Sequence, residues 1–541
     1  MAKERSTSTV KSATFDLLRA FGIDRVFGNP GSTELAFLHD WPKDIAYVLG
    51  LQEASVVAMA DGYAQATRNA AFVNLHSAAG VGHALGNLFT AFRNQTPLVI
   101  TAGQQARSLL PLQPFLYAEQ APEFPRPYVK WSVEPARAED VPAAIARAYY
   151  LAMTPPRGPC FVSVPADDWN RPAGPVQPRR VAREIGPAPG AITDLADAIA
   201  ASRRPAFVVG PSIDREGVVD LMVQVAERAR AAIWASPFSM RASFPERHPL
   251  FSGFLQAGPE MLSRSLAAYD LVVVFGAPVF TFHVEGRAGV FEDGPSIWQV
   301  TDNPTDAAIA PVGTSILSSM RPALTQLIAG MAETVREAPA IRAAASPPKP
   351  SEPITAEYLL HIMADALPPD AIVVEEAPSH RPAMQRHLPM RGQDSFYTMS
   401  SGGLGYSLPA SVGIAMARPG RRVVCLLGDG SAMYSIQALW TAAQHGLPIT
   451  FVILNNSGYG AMRSFSRIMQ AENPPGIDLP GLDFVQIAQG HGCDAVRVRE
   501  PAEIGAALKS AFAASGPVVI EVVVDQDIPV LYHGGDGTGP E

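Results

Sequence analysis

Short apolar runs of β type recur in the first third of the chain at residues 26–27, 47–49, 72–75 and 98–101, with helix-period patterns at 54–66 and 85–92 between them. Alternating strand and helix signals predict a parallel sheet with helices packed on both faces. The theme returns at 206–209, 271–275 and 297–300, and again at 372–375, 423–427, 449–454 and 518–524. Two intervening stretches cannot pack as element interiors. Residues 171–190, RPAGPVQPRRVAREIGPAPG, are crowded with Pro, Arg and Gly, and APAIRAAASPPKPSEP ends at Pro353. The pattern predicts an α/β protein of three doubly wound parallel-sheet domains, at residues 1–180, 190–337 and 354–530. The first and last are candidates for distant duplicates, although no repeat is visible in the residues themselves. The closing GGDGTGPE is expected to be mobile.

Length agrees with this division, since 541 residues exceed one hydrophobic core and a domain usually takes roughly 100–200. A composition 47% hydrophobic and 17% charged fits a globular enzyme rather than a disordered chain. The net charge of −9, with no long Lys/Arg run, argues against nucleic acid as a partner but leaves room for a small anionic substrate. Cys160, Cys425 and Cys493 lie far apart without CxxC spacing, so buried free thiols in a reducing compartment are expected. The amino terminus lacks the apolar core of a signal peptide, and no apolar run reaches the roughly 18 residues that span a bilayer. No membrane association and a cytoplasmic location follow as expectations.

Candidate chemistry concentrates where the buried run 423–427 meets Gly428-Asp429-Gly430-Ser431, the edge at which open α/β sheets bind ligands. The next run, 449–454, ends in Asn455-Asn456-Ser457-Gly458-Tyr459-Gly460, and one helix at about 434–445 is expected to make the two strands neighbours. A carboxylate, an amide oxygen and a backbone carbonyl then converge, which suits a hard octahedral cation such as Mg²⁺ completed by phosphate oxygens. Glycines let the backbone approach a diphosphate. GDG alone is a common turn composition; NN at the end of the following strand supplies the specificity.

Together these motifs resemble the thiamine-diphosphate-dependent 2-keto acid decarboxylase family, and within it the branch acting on benzoylformate and other aryl 2-keto acids. The resemblance spans nearly the whole chain, through FGNPGSTELAFL, NLHSAAGVGHALG, PLVITAGQQ, PRPYVKW, FGAPVFTFH and SIQALWTAAQ. It implies a pyrimidine-binding first domain, a middle domain, and a diphosphate-binding last domain. Asp429, Asn456 and the Gly458 carbonyl would hold Mg²⁺ or another divalent cation such as Ca²⁺. Gly428, Gly430, Ser431, Tyr459 and Ser379 would meet the cofactor, although Pro378 departs from the hydroxyl residue expected beside Ser379. Leu404 in Ser400-Ser401-Gly402-Gly403-Leu404-Gly405 would pack between the cofactor's rings, and the Gly402 carbonyl would accept from its aminopyrimidine.

Glu53, in Leu51-Gln52-Glu53-Ala54 at a predicted helix start where a carboxylate is favoured, matches the glutamate that activates the aminopyrimidine. Ser32, His76 and His283 match three polar positions of the substrate pocket. Histidines exchange protons near neutrality, and both of these follow apolar runs at the loop edge of an α/β domain. The resemblance assigns Ser32 to the substrate carboxylate, His76 to an early proton and His283 to a later one. Phe115 and Leu116 belong either to the substrate pocket or to the core. The implied activity is a carboxy-lyase acting on a small 2-keto acid and assembled at least as a homodimer, with a homotetramer expected. The alternatives are an acetohydroxyacid-synthase-like carboligase, a pyruvate-type decarboxylase, and a non-catalytic relative that keeps the fold as a binding module. Gly210-Pro211-Ser212 in the middle segment is too little to claim a nucleotide.

Overall fold

Strands such as Ala71–Leu75, Leu98–Gln104 and Leu271–Phe275 are buried at every position, as parallel strands covered on both faces must be. The computed structural model describes residues 8–531, so GGDGTGPE and His533 lie outside the described residues. The first sheet contains β1 (Arg25–Gly28), β2 (Ala46–Leu49), β3 (Ala71–Leu75), β4 (Leu98–Gln104), β5 (Trp131–Val133) and β6 (Cys160–Pro165). The second contains β7 (Pro205–Val209), β8 (Ala232–Ala235), β9 (Phe251–Phe254), β10 (Leu271–Phe275), β11 (Ser296–Thr301) and β12 (Thr314–Leu317). The third contains β13 (Ile372–Glu376), β14 (Phe396–Tyr397), β15 (Val423–Gly428), β16 (Ile449–Asn455), β17 (Asp494–Val498) and β18 (Val518–Val523).

Their orders are β2-β1-β3-β4-β6-β5, β12-β11-β10-β7-β8-β9 and β14-β13-β15-β16-β18-β17, with every pairing parallel. Three doubly wound α/β sheets are therefore present. The first and third share one strand order, as distant duplicates would, while the second has its own. The three cysteines are free and buried.

The first and third sheets are joined through two helices, Glu53–Thr67 and Ser407–Ala417, which are buried around most of their circumference. A helix apolar on every side belongs inside a protein. The two pack backbone to backbone: a Cβ on Gly413 would stand 1.9 Å from the Met59 carbonyl oxygen, and one on Gly62 would stand 2.2 Å from that of Ala410. Both oxygens belong to main chain and cannot swing aside. Gly413→Ala is therefore expected to push the helices apart and cost about 1–3 kcal/mol. Gly505→Ala, on the helix Ile504–Ala513 with nothing within 4 Å, should be neutral or stabilising. Thermal unfolding of the two variants checks this, and equal midpoints would remove the close-packing argument.

Candidate active site

β15 delivers Asp429 to the end of the third sheet, where it is buried at the start of the helix Asp429–Met433. Its carboxylate accepts from Gly430 N at 2.6 Å and from Gly458 N at 2.9 Å, so one side chain ties together the turns after β15 and β16. Burial pushes the Asp429 carboxyl up, against the pull of the backbone N–H groups of Gly430, Gly458 and Ser457. β15 and β16 are direct neighbours, with Gly428 opposite Leu454. The connection between them is not the single helix expected at 434–445. It breaks into Asp429–Met433 and Ala438–Gln444, with the weak helix formers Ser435 and Ile436 at the break.

The two asparagines part company. Asn455 donates to Glu521 Oε1 at 2.8 Å and accepts from Ser457 N at 3.0 Å, whereas the buried Asn456 lines the cavity. A Cβ on Gly430 would come within 2.4 Å of the Tyr459 ring, so glycine there lets the ring close over the turn.

The loop before the helix Ser407–Ala417 hangs on another buried carboxylate. Glu376, at the end of β13, accepts from Gly405 N at 2.6 Å, Tyr406 N at 2.9 Å and Ser407 N at 2.6 Å. Burial pushes its carboxyl up to about 7, and these three bonds oppose the shift. Gly402 and Gly405 have φ of +75° and +93°, the left-handed region that favours glycine. Ser400 N donates to Asn94 Oδ1 at 2.9 Å, and Ser401 Oγ lies 2.8 Å from Thr90 Oγ1.

A cavity of about 530 Å³ opens above these turns. It gathers Ser379, Gly402, Leu404, Gly428, Asp429, Gly430, Ser431, Asn456, Gly458 and Tyr459 from the third domain and His283 from the second. The His283 ring meets Phe238 and Phe465 edge-on, with centroids at 5.8 Å and 5.1 Å, and its backbone N–H donates to Ala257 O at 2.8 Å. His380 also lines the cavity, but burial pushes it down to about 4, so it is neutral at physiological pH. Among the described residues no three His, Cys, Asp or Glu side chains cluster as a metal site. One buried carboxylate, one amide and a backbone carbonyl are a hard oxygen set, the kind suited to Mg²⁺ or Ca²⁺ beside phosphate.

Glu53, Ser32, His76, Phe115 and Leu116 are not among the residues lining this cavity. Glu53 begins its helix as expected, buried, with Gln52 as N-cap and His83 Nδ1 3.1 Å from its Oε2. Ser32 opens the tight turn Ser32–Glu34, and His76 stands just before the helix Ser77–Arg93. That turn reaches His76: Glu34 Oε2 lies 2.9 Å and Thr33 Oγ1 3.1 Å from its Nδ1. Phe115 is 88% exposed and is not core, while the Leu116 carbonyl accepts from Ser77 Oγ at 2.9 Å. Sequence reasoning missed Glu34, Glu376, His83 and the aromatic pair Phe238 and Phe465. For Glu376 the only signal was an acid at the end of a buried strand.

Three family models match the chain: the N-terminal TPP binding domain of thiamine pyrophosphate enzymes at residues 8–121, the central domain at 192–327 and the C-terminal TPP binding domain at 377–522. The chain is 42% identical over 521 residues to the benzoylformate decarboxylase of Pseudomonas aeruginosa, covering 95% of this chain and 98% of that one. It superposes on the crystal structure of benzoylformate decarboxylase from Polynucleobacter necessarius with a TM-score of 0.94 and 40% identity, over 97% of this chain and all of the other. A 4-hydroxybenzoylformate decarboxylase from Rhodococcus jostii RHA1 gives 0.93 and 40%, over 96% of this chain and all of the other.

The Glu376 clamp generates a prediction of its own. In Glu376→Gln the amide NH₂ faces backbone N–H donors, leaving at least one unpaired, at a cost of about 1–3 kcal/mol. The folded carboxyl holds its proton to about 7 against an ordinary 4.5, so the parent should lose stability as pH rises from about 4.5 through about 7. The variant should lack that slope. Thermal midpoints across this pH range, with proteolysis at 400–406 as a local readout, check both effects.

Proposed function

The chain belongs to the thiamine pyrophosphate enzymes, and on that premise we propose that it is a carboxy-lyase for an aryl 2-keto acid, converting benzoylformate to benzaldehyde and CO₂ without oxidation. The observation carrying this reading is the cavity itself. His283 stands between Phe238 and Phe465, across an aromatic-walled space from Leu404 and the Asp429 turn.

Thiamine diphosphate, when bound, supplies the electron sink into which a 2-keto acid can lose CO₂. Gly428, Asp429, Gly430, Ser431, Asn456, Tyr459 and Ser379 hold its diphosphate end, with Mg²⁺ or Ca²⁺ on Asp429, Asn456 and the Gly458 carbonyl. A buried carboxylate whose hydrogen bonds come from backbone N–H groups, with the Arg463 charge a lesser attraction, gains from a cation beside it, which supports that ligand set. Leu404 would pack between the cofactor's rings, the Gly402 carbonyl would accept from the aminopyrimidine, and Glu53 would hydrogen-bond that ring.

Glu53, Ser32, His76, Phe115 and Leu116 come from a second copy, which makes a homodimer the minimum unit and a homotetramer the expected one. Their place away from the cavity of a single chain supports this, as do the exposed apolar side chains of Leu112 and Phe115. Ser32 orients the substrate carboxylate, His76 supplies the early proton to the keto oxygen, and His283 supplies the later proton to carbon. Phe115 and Leu116 line the aryl end of the substrate. No helix among the described residues is long and apolar enough to cross a membrane, and a cytoplasmic location is part of the reading.

Release of CO₂ and benzaldehyde from benzoylformate, after loading with thiamine diphosphate and Mg²⁺ and ranked by kcat/KM against aliphatic 2-keto acids, tests the proposal. A product that is mainly 2-hydroxy ketone would overturn it in favour of carboligation. Asp429→Ala should abolish metal-dependent cofactor retention, read by equilibrium dialysis, while the far-UV circular dichroism stays parental. His283→Ala should lower kcat by about 10²–10⁴, the usual worth of a placed general acid, and divert product towards 2-hydroxy ketone when aldehyde is added.

A further inference from the structure

Glu34 is almost wholly buried, and none of the roles proposed above uses it. Four donors converge on its carboxylate. Oε1 accepts from Thr33 Oγ1 at 2.5 Å and from Gly103 N at 3.1 Å, while Oε2 accepts from Gly31 N at 2.9 Å and meets His76 Nδ1 at 2.9 Å. That fills the roughly four lone-pair sites of a carboxylate. Two glycines make the approach possible: a Cβ on Gly103 would stand 2.1 Å from Glu34 Oε1, and one on Gly31 would stand 2.1 Å from His76 Nδ1. This is a built site, and three of its four donors serve to hold the carboxylate against the imidazole.

We propose that Glu34 is the positioning residue of His76, fixing the ring's rotation and keeping its hydrogen on Nδ1 so that Nε2 alone exchanges protons with the substrate. The hydrogen-bond polarity leaves one arrangement. Glu34 only accepts, and the single proton of Thr33 is committed to Glu34 across 2.5 Å, so Thr33 Oγ1 can also only accept from Nδ1 at 3.1 Å. Nδ1 is therefore the donor to both. Which nitrogen of a histidine carries the hydrogen is set by the bond the other nitrogen lacks or makes. The His76 side chain is 20% exposed against 1% for Glu34, so the Nδ1 edge faces inward and Nε2 is left for a ligand. When His76 acts as acid, the Nε2–H bond breaks, an O–H bond forms at the former keto oxygen, and the ring is left neutral with its hydrogen on Nδ1. Ser32 belongs to the same turn as Glu34, so one three-residue element both orients the substrate carboxylate and aims the acid.

The inference rests on the reading of His76 as the substrate-facing acid, and its test separates the two. ¹⁵N spectra of the assembled protein labelled at its histidine rings, with His76 assigned by the loss of its signals in His76→Phe, should show a protonated, pyrrole-type Nδ1 and a pyridine-type Nε2 in the neutral ring. This arm reads the hydrogen position in the unaltered protein and uses the variant for assignment alone. In Glu34→Gln the pattern should mix or reverse, kcat should fall about a hundredfold or more while KM changes little, and Glu34→Asp should restore part of the loss. A hydrogen on Nε2 in the unaltered protein overturns the proposal, and so does a parental kcat in Glu34→Gln when His76→Phe is itself impaired. If His76→Phe decarboxylates at the parental rate while Nδ1 carries the hydrogen, the positioning stands and the catalytic reading of His76 falls.

Discussion

Main-chain contact between the helices Glu53–Thr67 and Ser407–Ala417 determines where the chemistry-bearing parts of the first and third domains can lie. Gly62 and Gly413 allow the two backbones to touch, and each helix begins at a segment that the proposed function uses: one at Glu53, the other directly after the loop 400–406. Asn87 spans the same gap, donating to Ala54 O at 2.9 Å and Gly405 O at 3.1 Å. Deeper in, Gln65 joins Asp61 and Tyr406 to Arg241 of the second domain, which also bonds Asp214 and Asp394 and lies over the Tyr397 ring. Burial pushes Asp61 up to about 6 despite its bonds to Gln65, Tyr406 and Asn94. A polar thread of this kind is costly to leave partly satisfied, so it favours one relative arrangement of the three domains.

The same device recurs at a smaller scale. Asp429, Glu376 and Glu34 are each buried, and each accepts at least two backbone N–H groups, at least one of them from a segment 29 or more positions away. Hydrogen bonds from backbone N–H to carboxylate are among the stronger ones available, and unlike apolar packing they fix direction as well as distance. Asp429 locks the two strand-end turns together, Glu376 holds the loop carrying Leu404, and Glu34 holds His76. Loops gain the rigidity of the sheets beneath them without becoming part of the sheets.

How much of this could be read in the residues depended on whether a signal was local. Continuous apolar runs marked several strands of every sheet, although the interior strands β6 and β8 went unmarked, and Asp429 and Asn456 were legible because each follows such a run directly. Short or edge strands such as β14 and β17 were missed, since Phe396–Tyr397 is only two residues long and Asp494–Val498 is half exposed. The helix break at Ser435 and Ile436 holds no glycine or proline to mark it and reads as helix by period; in the structure Tyr434, beside the break, packs close to Gly405. Glu34 carried no periodic signal at all. Its partners Gly103 and His76 lie 69 and 42 positions away, and the role of an acid in a loop is invisible until the chain closes on it.

A site divided between two copies couples binding to assembly. On the proposed reading the cofactor's diphosphate end rests on one copy and its pyrimidine end meets Glu53 of another, so the bound group contacts both only in the assembled state. Whatever binds one state more tightly shifts the equilibrium towards it, and the dependence is reciprocal: pairing raises cofactor affinity by the same factor by which cofactor strengthens pairing. The buried Asp429 carboxyl adds to that coupling, because a cation beside it relieves a desolvation cost that the empty turn retains. Rigid turns held by Asp429, Glu376 and Glu34 keep the cost of ordering each half-site low before the halves meet, leaving more of the interaction free energy for holding the two copies and the cofactor together.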